Sequence, residues 1–141
     1  MSISECRIIG FPRIEDPRGN LTFVEGGNHL PYDIRRVYCL YDVPGGASRG
    51  GHAHRQTHEL LVAMSGSFTV VLDDGTVTQR FTLNRSWYGL YVPPMTWRSL
   101  EDFSSGSVCM VLASERFSEA DYYRDYGEFQ RALSAPVRAA A

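Results

Sequence analysis

Over most of its length the chain alternates short runs rich in β-branched and aromatic residues with clusters of turn formers. Runs at 21–24, 36–41, 60–64, 68–72, 76–83, 88–92 and 108–113 each have the length and composition of a strand. Between them stand Pro44-Gly45-Gly46, Ser65-Gly66, Asp73-Asp74-Gly75 and Pro93-Pro94, which reverse or break extended chain. Asp74-Gly75 between two such runs predicts a hairpin. No strand–helix alternation runs through the sequence, so the pattern predicts an antiparallel sandwich or barrel rather than a parallel sheet. Only the C-terminal part has helical spacing. From Ser118 the sequence offers a capping Ser, early acids, and Tyr122, Tyr123 and Tyr126 on one face. That face is expected to pack on the barrel; covering a ligand is the alternative. Residues from about 134 to 141 read as a frayed tail, and no repeat or second domain is visible, so a single domain over 1–141 is expected.

With 141 residues the chain is long enough to bury a core without covalent staples. Fourteen Lys and Arg against sixteen Asp and Glu leave a net charge of -2, which gives no electrostatic case for nucleic acid or an anionic membrane. Cys6, Cys39 and Cys109 are an odd set at wide spacing without a C-x-x-C pair, which argues for reduced thiols in a cytoplasmic protein. The N-terminus shows no basic stretch leading into an apolar run, and no apolar segment nears spanning length, so neither export nor anchoring is expected.

The richest chemistry lies at residues 46–66, Gly46-Ala-Ser-Arg-Gly-Gly-His52-Ala-His54-Arg-Gln-Thr-His-Glu59-Leu-Leu-Val-Ala-Met-Ser-Gly66. On a strand His52 and His54 point to the same face, so their ring nitrogens can converge. The spacing G-x5-H-x-H-x4-E-x6-G resembles the first signature of the cupin superfamily. Gly89-Leu-Tyr-Val-Pro93-Pro94-Met-Thr-Trp97-Arg98 resembles the second. The resemblance implies an all-β, antiparallel jelly-roll barrel with a short C-terminal helix. A mononuclear metal in such a barrel usually takes the two His, the Glu and a further His from the later strand, where this chain has Arg98. A guanidinium has no lone pair to give and stays cationic. His29, in a loop, and His58, facing away from Glu59 on a regular strand, do not repair the set. A site with no metal and no cofactor is therefore expected, and His52 and His54 become candidates for proton transfer. Hydrogen-bonded structure is the bland alternative for an isolated His-x-His pair.

Arginines surround this stretch. Arg49 precedes His52, Arg35 and Arg36 open the preceding strand, Arg18 sits in Asp-Pro-Arg-Gly, and Arg98 lies on the later strand beside Trp97. Guanidinium forks suit phosphate oxygens, and a buried diphosphate needs several of them. Taken singly, most are as readily read as solvated or paired with acids; the motifs place Arg49 and Arg98 at the barrel mouth. Tyr38 either reaches the same cavity or is turned into the core, where a phenol needs one partner.

Several separated motifs narrow the resemblance. Arg36-Val-Tyr38, Arg49-Gly-Gly-His52-Ala-His54, Leu72-Asp73-Asp74-Gly75, Gly89-Leu-Tyr-Val, Asp102-Phe-Ser-Ser, Met110-Val-Leu-Ala-Ser and Asp121-Tyr122-Tyr123-Arg-Asp-Tyr126 look like the sugar 3,4-ketoisomerases acting on dTDP-4-keto-6-deoxyglucose. The similarity runs from about residue 7 to 131. It implies a metal-independent homodimer with exchanged N-terminal strands, His52, His54 and Tyr38 in catalysis, and Arg49, Arg98, Arg36, Arg18 and Trp97 with the dTDP-linked keto-deoxy sugar. The reaction implied moves a carbonyl from C4 to C3 through an enediolate, toward a 3-amino-deoxy sugar for surface polysaccharide or a glycosylated natural product. Some members of the group carry His at the position of Arg98, which leaves the C4 configuration of the product open. A metal-dependent cupin enzyme, a dTDP-sugar epimerase and a noncatalytic sugar-binding cupin are the competing classes.

Overall fold

A computed structural model describes residues 3–135. Twelve strands carry the fold: β1 (Arg7–Gly10), β2 (Arg13–Ile14), β3 (Leu21–Thr22), β4 (Arg36–Leu40), β5 (Arg49–His54), β6 (Glu59–Ser65), β7 (Phe68–Asp73), β8 (Thr78–Leu83), β9 (Tyr88–Val92), β10 (Trp97–Glu101), β11 (Val108–Ala113) and β12 (Tyr122–Tyr123). One helix, α1 (Tyr126–Ser134), follows them. Two five-stranded antiparallel sheets, in the orders β1-β9-β6-β11-β4 and β12-β5-β10-β7-β8, face each other, and β2 pairs with β3 apart from both. The fold is the expected all-β one with a short C-terminal helix. No helix among the described residues is long and apolar enough to cross a membrane.

Residue alternation sorts each strand between two environments. In β6, Leu61 and Ala63 enter the core between the sheets with Val70, Leu72, Leu100 and Val111. Leu60 and Val62 point outward and are covered by Phe11, Leu30 and Tyr32 from the chain that wraps the first sheet. A strand buried on both faces reads as the continuous apolar run seen at 60–64. On the second sheet the outward residues Ala53 and Trp97 lie under Tyr123 and Phe129, so α1 packs on that face.

The Asp74-Gly75 turn joins β7 to β8 as predicted, with the Asp74 carboxylate accepting from the Thr76 and Val77 amides and Gly75 at φ 97°. Those bonds hold 76 and 77 in the turn, so β8 starts later than the run at 76–83 suggests. The residue pattern does not mark β1 and β2, although the resemblance implies N-terminal strands: they are too short to stand out from their flanks and gain their identity by pairing with β9 and β3.

The helix expected from Ser118 is displaced. Residues Glu119–Asp121 make a single 3-10 turn, and Tyr122 and Tyr123 pair with His54 and Ala53 of β5. Strand pairing sends the two tyrosines to opposite sides, Tyr122 toward the cavity described below and Tyr123 under α1. The helix starts about two turns later, where Asp125 accepts the Glu128 amide at 2.9 Å. Asp125-Tyr-Gly-Glu128 has the spacing of a capping box, a signal available in the sequence. Ser134 closes the helix; the rest of the expected frayed tail, beyond Ala135, lies outside the described residues.

Candidate active site

β5 and β10 meet through a local irregularity that aims the site. Arg98 pairs with His52 and Leu100 with Arg49, so Gly50 and Gly51 together oppose one residue of β10. Such a bulge bends its strand and re-aims neighbouring side chains. Gly50 takes φ 72°, and a Cβ there would stand 2.7 Å from Arg98 Nη1, so a residue without a side chain is required on both counts.

Beneath the bulge lies a buried ion pair. Arg98 and Glu59 are each 1% exposed. Arg98 Nε donates to Glu59 Oε1 at 2.8 Å, and its Nη2 donates to Glu59 Oε2 at 3.3 Å and to the Tyr38 hydroxyl at 2.6 Å. The Tyr38 hydroxyl in turn donates to Glu59 Oε2 at 2.5 Å. Burial opposes ionisation of Glu59, but the adjacent Arg98 charge and the hydrogen bond from Tyr38 overcome it and hold the carboxyl well below its ordinary value. Burial, with Glu59 adding to it, raises the Tyr38 phenol above its ordinary value, so it stays protonated. Arg98 Nη1 has no hydrogen-bond partner among the described residues.

A cavity of about 540 Å³ opens against this cluster, lined by Arg36, Tyr38, Arg49, His52, Arg98, Tyr122 and Arg124 among others. His52 and His54, 7% and 4% exposed, approach through their Nε2 atoms at 3.1 Å. Only His52 contributes to the cavity wall; His54 lies behind it, with Nε2 3.4 Å from Glu59 Oε2 and Nδ1 2.9 Å from Asp121 Oδ2. The Tyr122 ring covers both imidazoles, with centroids 5.0 Å from His52 and 4.4 Å from His54. Burial, reinforced by the Arg98 charge, lowers the His52 pKa to about 2, so this imidazole is neutral throughout the working range.

The sequence-selected residues do not all converge. Tyr38, Arg36, Arg49, His52 and Arg98 share the cavity. Arg18 does not: it stands exposed in a turn and is paired with Asp16 at 2.9 Å. Trp97 occupies the outward side of β10, against Tyr126 and Phe129, because alternation turns it opposite to Arg98. His29 accepts the Glu25 amide, and His58 bonds the Tyr91 hydroxyl on the outer face of the first sheet. Asp121 and Arg124 were not singled out for the site from the sequence, and Tyr122 entered only through the alternative in which the C-terminal aromatics cover a ligand; the β12–β5 pairing brings all three there. A larger hollow of about 630 Å³ lies on the outer side of the first sheet, but its walls include Phe11, Val62, Trp87 and Met110 and no imidazole or carboxylate.

His52, His54 and Glu59 place donor atoms within 4.8 Å of one another, the composition of a partial metal set. Both Glu59 oxygens are already engaged by Arg98 or Tyr38, and a guanidinium held against that carboxylate would face any cation bound there. The donor set fits a divalent ion poorly.

The lowered pKa of His52 has a definite sign in stability. The unfolded chain takes up a proton at this ring near pH 6.5 while the folded chain does not, so the stabilisation is complete above 6.5 and is lost as pH falls toward about 2. His52→Asn should therefore gain on the native chain on acidification, by up to about 1.4 kcal/mol per pH unit below 6.5. Urea midpoints measured between about pH 7.5 and 5 test this; curves that stay parallel would contradict it.

Comparison with known proteins agrees with the architecture. Residues 4–134 match the family model described as FdtA: WxcM-like, C-terminal. The chain is 42% identical over 130 residues to a curated protein of Aneurinibacillus thermoaerophilus named TDP-4-oxo-6-deoxy-alpha-D-glucose-3,4-oxoisomerase, covering 92% of this chain and 94% of the relative. A mutant of a 3,4-ketoisomerase from Thermoanaerobacterium thermosaccharolyticum, solved in complex with TDP-4-keto-6-deoxyglucose, superposes with a TM-score of 0.91 at 35% identity, over 94% of this chain and 96% of that one. The rmlC epimerase of Mycobacterium tuberculosis, at 17% identity and a TM-score of 0.74 over 87% of this chain and 70% of that one, shares the fold alone. The chain, an enzyme with the fold of the cupin isomerases, thus belongs to the FdtA family.

Proposed function

We propose that the chain is a sugar-nucleotide 3,4-ketoisomerase that takes TDP-4-keto-6-deoxyglucose and moves its carbonyl from C4 to C3. One observation carries the assignment of the base: of the two imidazoles, His52 alone lines the cavity, and it is neutral beside a fixed cation. In a 4-keto sugar the C3 proton is acidified by the neighbouring carbonyl. His52 takes that proton, the C–H electrons form the C3–C4 double bond, and O4 becomes the enediolate oxygen. The O3 proton then passes to O4, the protonated His52 returns its proton at C4, and the O3 electrons close the new carbonyl. Atoms and electrons balance without an added reductant or oxidant.

The cavity wall supports the charge changes this requires. Arg98 cannot lose its proton, because Glu59 and Tyr38 outweigh its burial, and it supplies a permanent positive charge where the enediolate develops. The Tyr38 hydroxyl, held protonated between Arg98 and Glu59, is placed to steer the sugar oxygens. Arg49, Arg36 and Arg124 stand on the same wall and suit a diphosphate. Arg18 and Trp97 lie away from this cavity and receive no part in binding within one chain. The proposal is metal-independent, on the strength of the engagement of Glu59 by Arg98.

A homodimer with exchanged N-terminal strands belongs to the same proposal. Within one chain β1 pairs with β9, while Ile8, Ile14, Leu21, Phe23, Val37 and Met64 stand exposed, an apolar surface suited to a second copy. A cytoplasmic location is supported by three cysteines that stand as free thiols; finding the chain in an exported fraction would argue against it.

Incubation of TDP-4-keto-6-deoxyglucose with the protein in D2O, followed by NMR, should show the carbonyl signal migrating to C3. His52→Asn should lower turnover at least about 100-fold while nucleotide binding persists. Deuterium at C3 and C5 with the ketone still at C4 would point to an epimerase, and an unchanged spectrum to a noncatalytic binder. Sedimentation that returns the mass of one chain at micromolar concentration would sink the dimer.

A further inference from the structure

Asp121 ends the 3-10 turn that precedes β12, and the Tyr122–His54 register sets its carboxylate against the rear of the His54 ring. Three groups meet that carboxylate. Oδ1 accepts the Gln56 amide at 2.7 Å, and Oδ2 accepts the Thr57 hydroxyl at 2.5 Å and lies 2.9 Å from His54 Nδ1. Burial alone would raise the Asp121 pKa, but these bonds outweigh it and hold the carboxyl below its ordinary value. An ionised carboxylate only accepts, so His54 Nδ1 carries hydrogen. A neutral His54 then offers its lone pair at Nε2, 3.1 Å from His52 Nε2, which donates to it. Glu59 Oε2, farther away at 3.4 Å, is already taken by Tyr38 and Arg98. With its Nε2 hydrogen committed inward, His52 keeps its lone pair at Nδ1, which makes no hydrogen bond among the described residues on a ring that lines the cavity.

We propose that Asp121 is a positioning residue that fixes the tautomer of His54 and, through it, that of His52, so that the nitrogen His52 turns to the cavity is basic. The proposal rests on His52 being the base and adds what makes it one. The geometry also gives the proton a route. When His52 takes a proton at Nδ1, its Nε2 hydrogen can shift to His54, which is then held between Asp121 and Glu59.

Asp121→Asn isolates the tautomer, because it changes one atom and no shape. The Gln56 amide keeps the side-chain oxygen as its acceptor, which turns the new NH2 toward His54 Nδ1. A donor there demands a lone pair on Nδ1. His54 moves its hydrogen to Nε2, His52 must accept at Nε2, and its hydrogen goes to Nδ1, leaving no base in the cavity.

NMR of protein carrying 15N-labelled histidine, at about pH 8, distinguishes protonated from lone-pair ring nitrogens. The native chain should show hydrogen on His54 Nδ1 and His52 Nε2, and Asp121→Asn should show both exchanged. Its kcat should fall at least about 100-fold with KM little changed, the pattern of a misplaced proton rather than of lost binding. Native His54 protonated at Nε2, or at both nitrogens, would overturn the proposal, and this arm needs no folded variant. A folded Asp121→Asn with native tautomers would overturn it as well. The tautomer reading does not depend on turnover. Absent carbonyl migration with the native tautomers in place counts against the ketoisomerase reading, whereas migration with tautomers unaltered by Asp121→Asn counts against the role of Asp121 alone.

Discussion

The site depends on one ion pair, Arg98 with Glu59, sealed at 1% exposure beneath the β5 bulge. Removing one partner of such a pair costs about 3–5 kcal/mol, because the other is left charged and uncompensated, so neither residue is free to vary alone. The pair determines everything near it. It occupies the carboxylate that a metal would need, keeps the Tyr38 phenol between donor and acceptor, and brings in the Arg98 charge that, against the opposing effect of Glu59, adds to the burial keeping His52 neutral. Gly50 follows from the same constraint, since the guanidinium fills the space its side chain would take.

The two faces of the second sheet divide the remaining work. Inward alternation gives His52, His54 and Arg98 to the cavity side; outward alternation gives Ala53 and Trp97 to a packing surface for α1. β12 links the two, with Tyr122 over the imidazoles and Tyr123 under the helix. A two-residue strand therefore holds the C-terminal segment in register with the proton-transfer groups, and Asp121 reaches His54 as a consequence.

Residue types and local spacing were enough to identify β4, β6 to β9 and β11, the Asp74-Gly75 hairpin and the shared direction of His52 and His54 on a strand, because each depends on neighbours in the chain; β5 and β10 stood out only through their motifs. What they missed depends on distant contacts. Tyr122, Tyr123 and Tyr126 have helical spacing, yet pairing with β5 outcompetes it, and the helix waits for the Asp125 cap. Asp121 is one acid among sixteen until the fold lays it against a residue 67 positions earlier. Arg18 and Trp97 stand apart from the cavity within one chain: their types suit a sugar nucleotide, but Arg18 bonds Asp16 in its own turn and strand alternation puts Trp97 on the outward side of β10. Arg98 was legible as a residue that excludes a ligand; that it grips Glu59 and Tyr38 was not, since three separate strands supply the partners.

The central claim is that the engagement of Glu59 by Arg98 makes this an acid–base site rather than a metal site. It is tested most directly by turnover of TDP-4-keto-6-deoxyglucose before and after exhaustive chelation, with the metal content measured on the same samples. The account predicts substoichiometric metal and unchanged turnover. Loss of turnover on chelation, restored by one equivalent of a divalent ion, would contradict it.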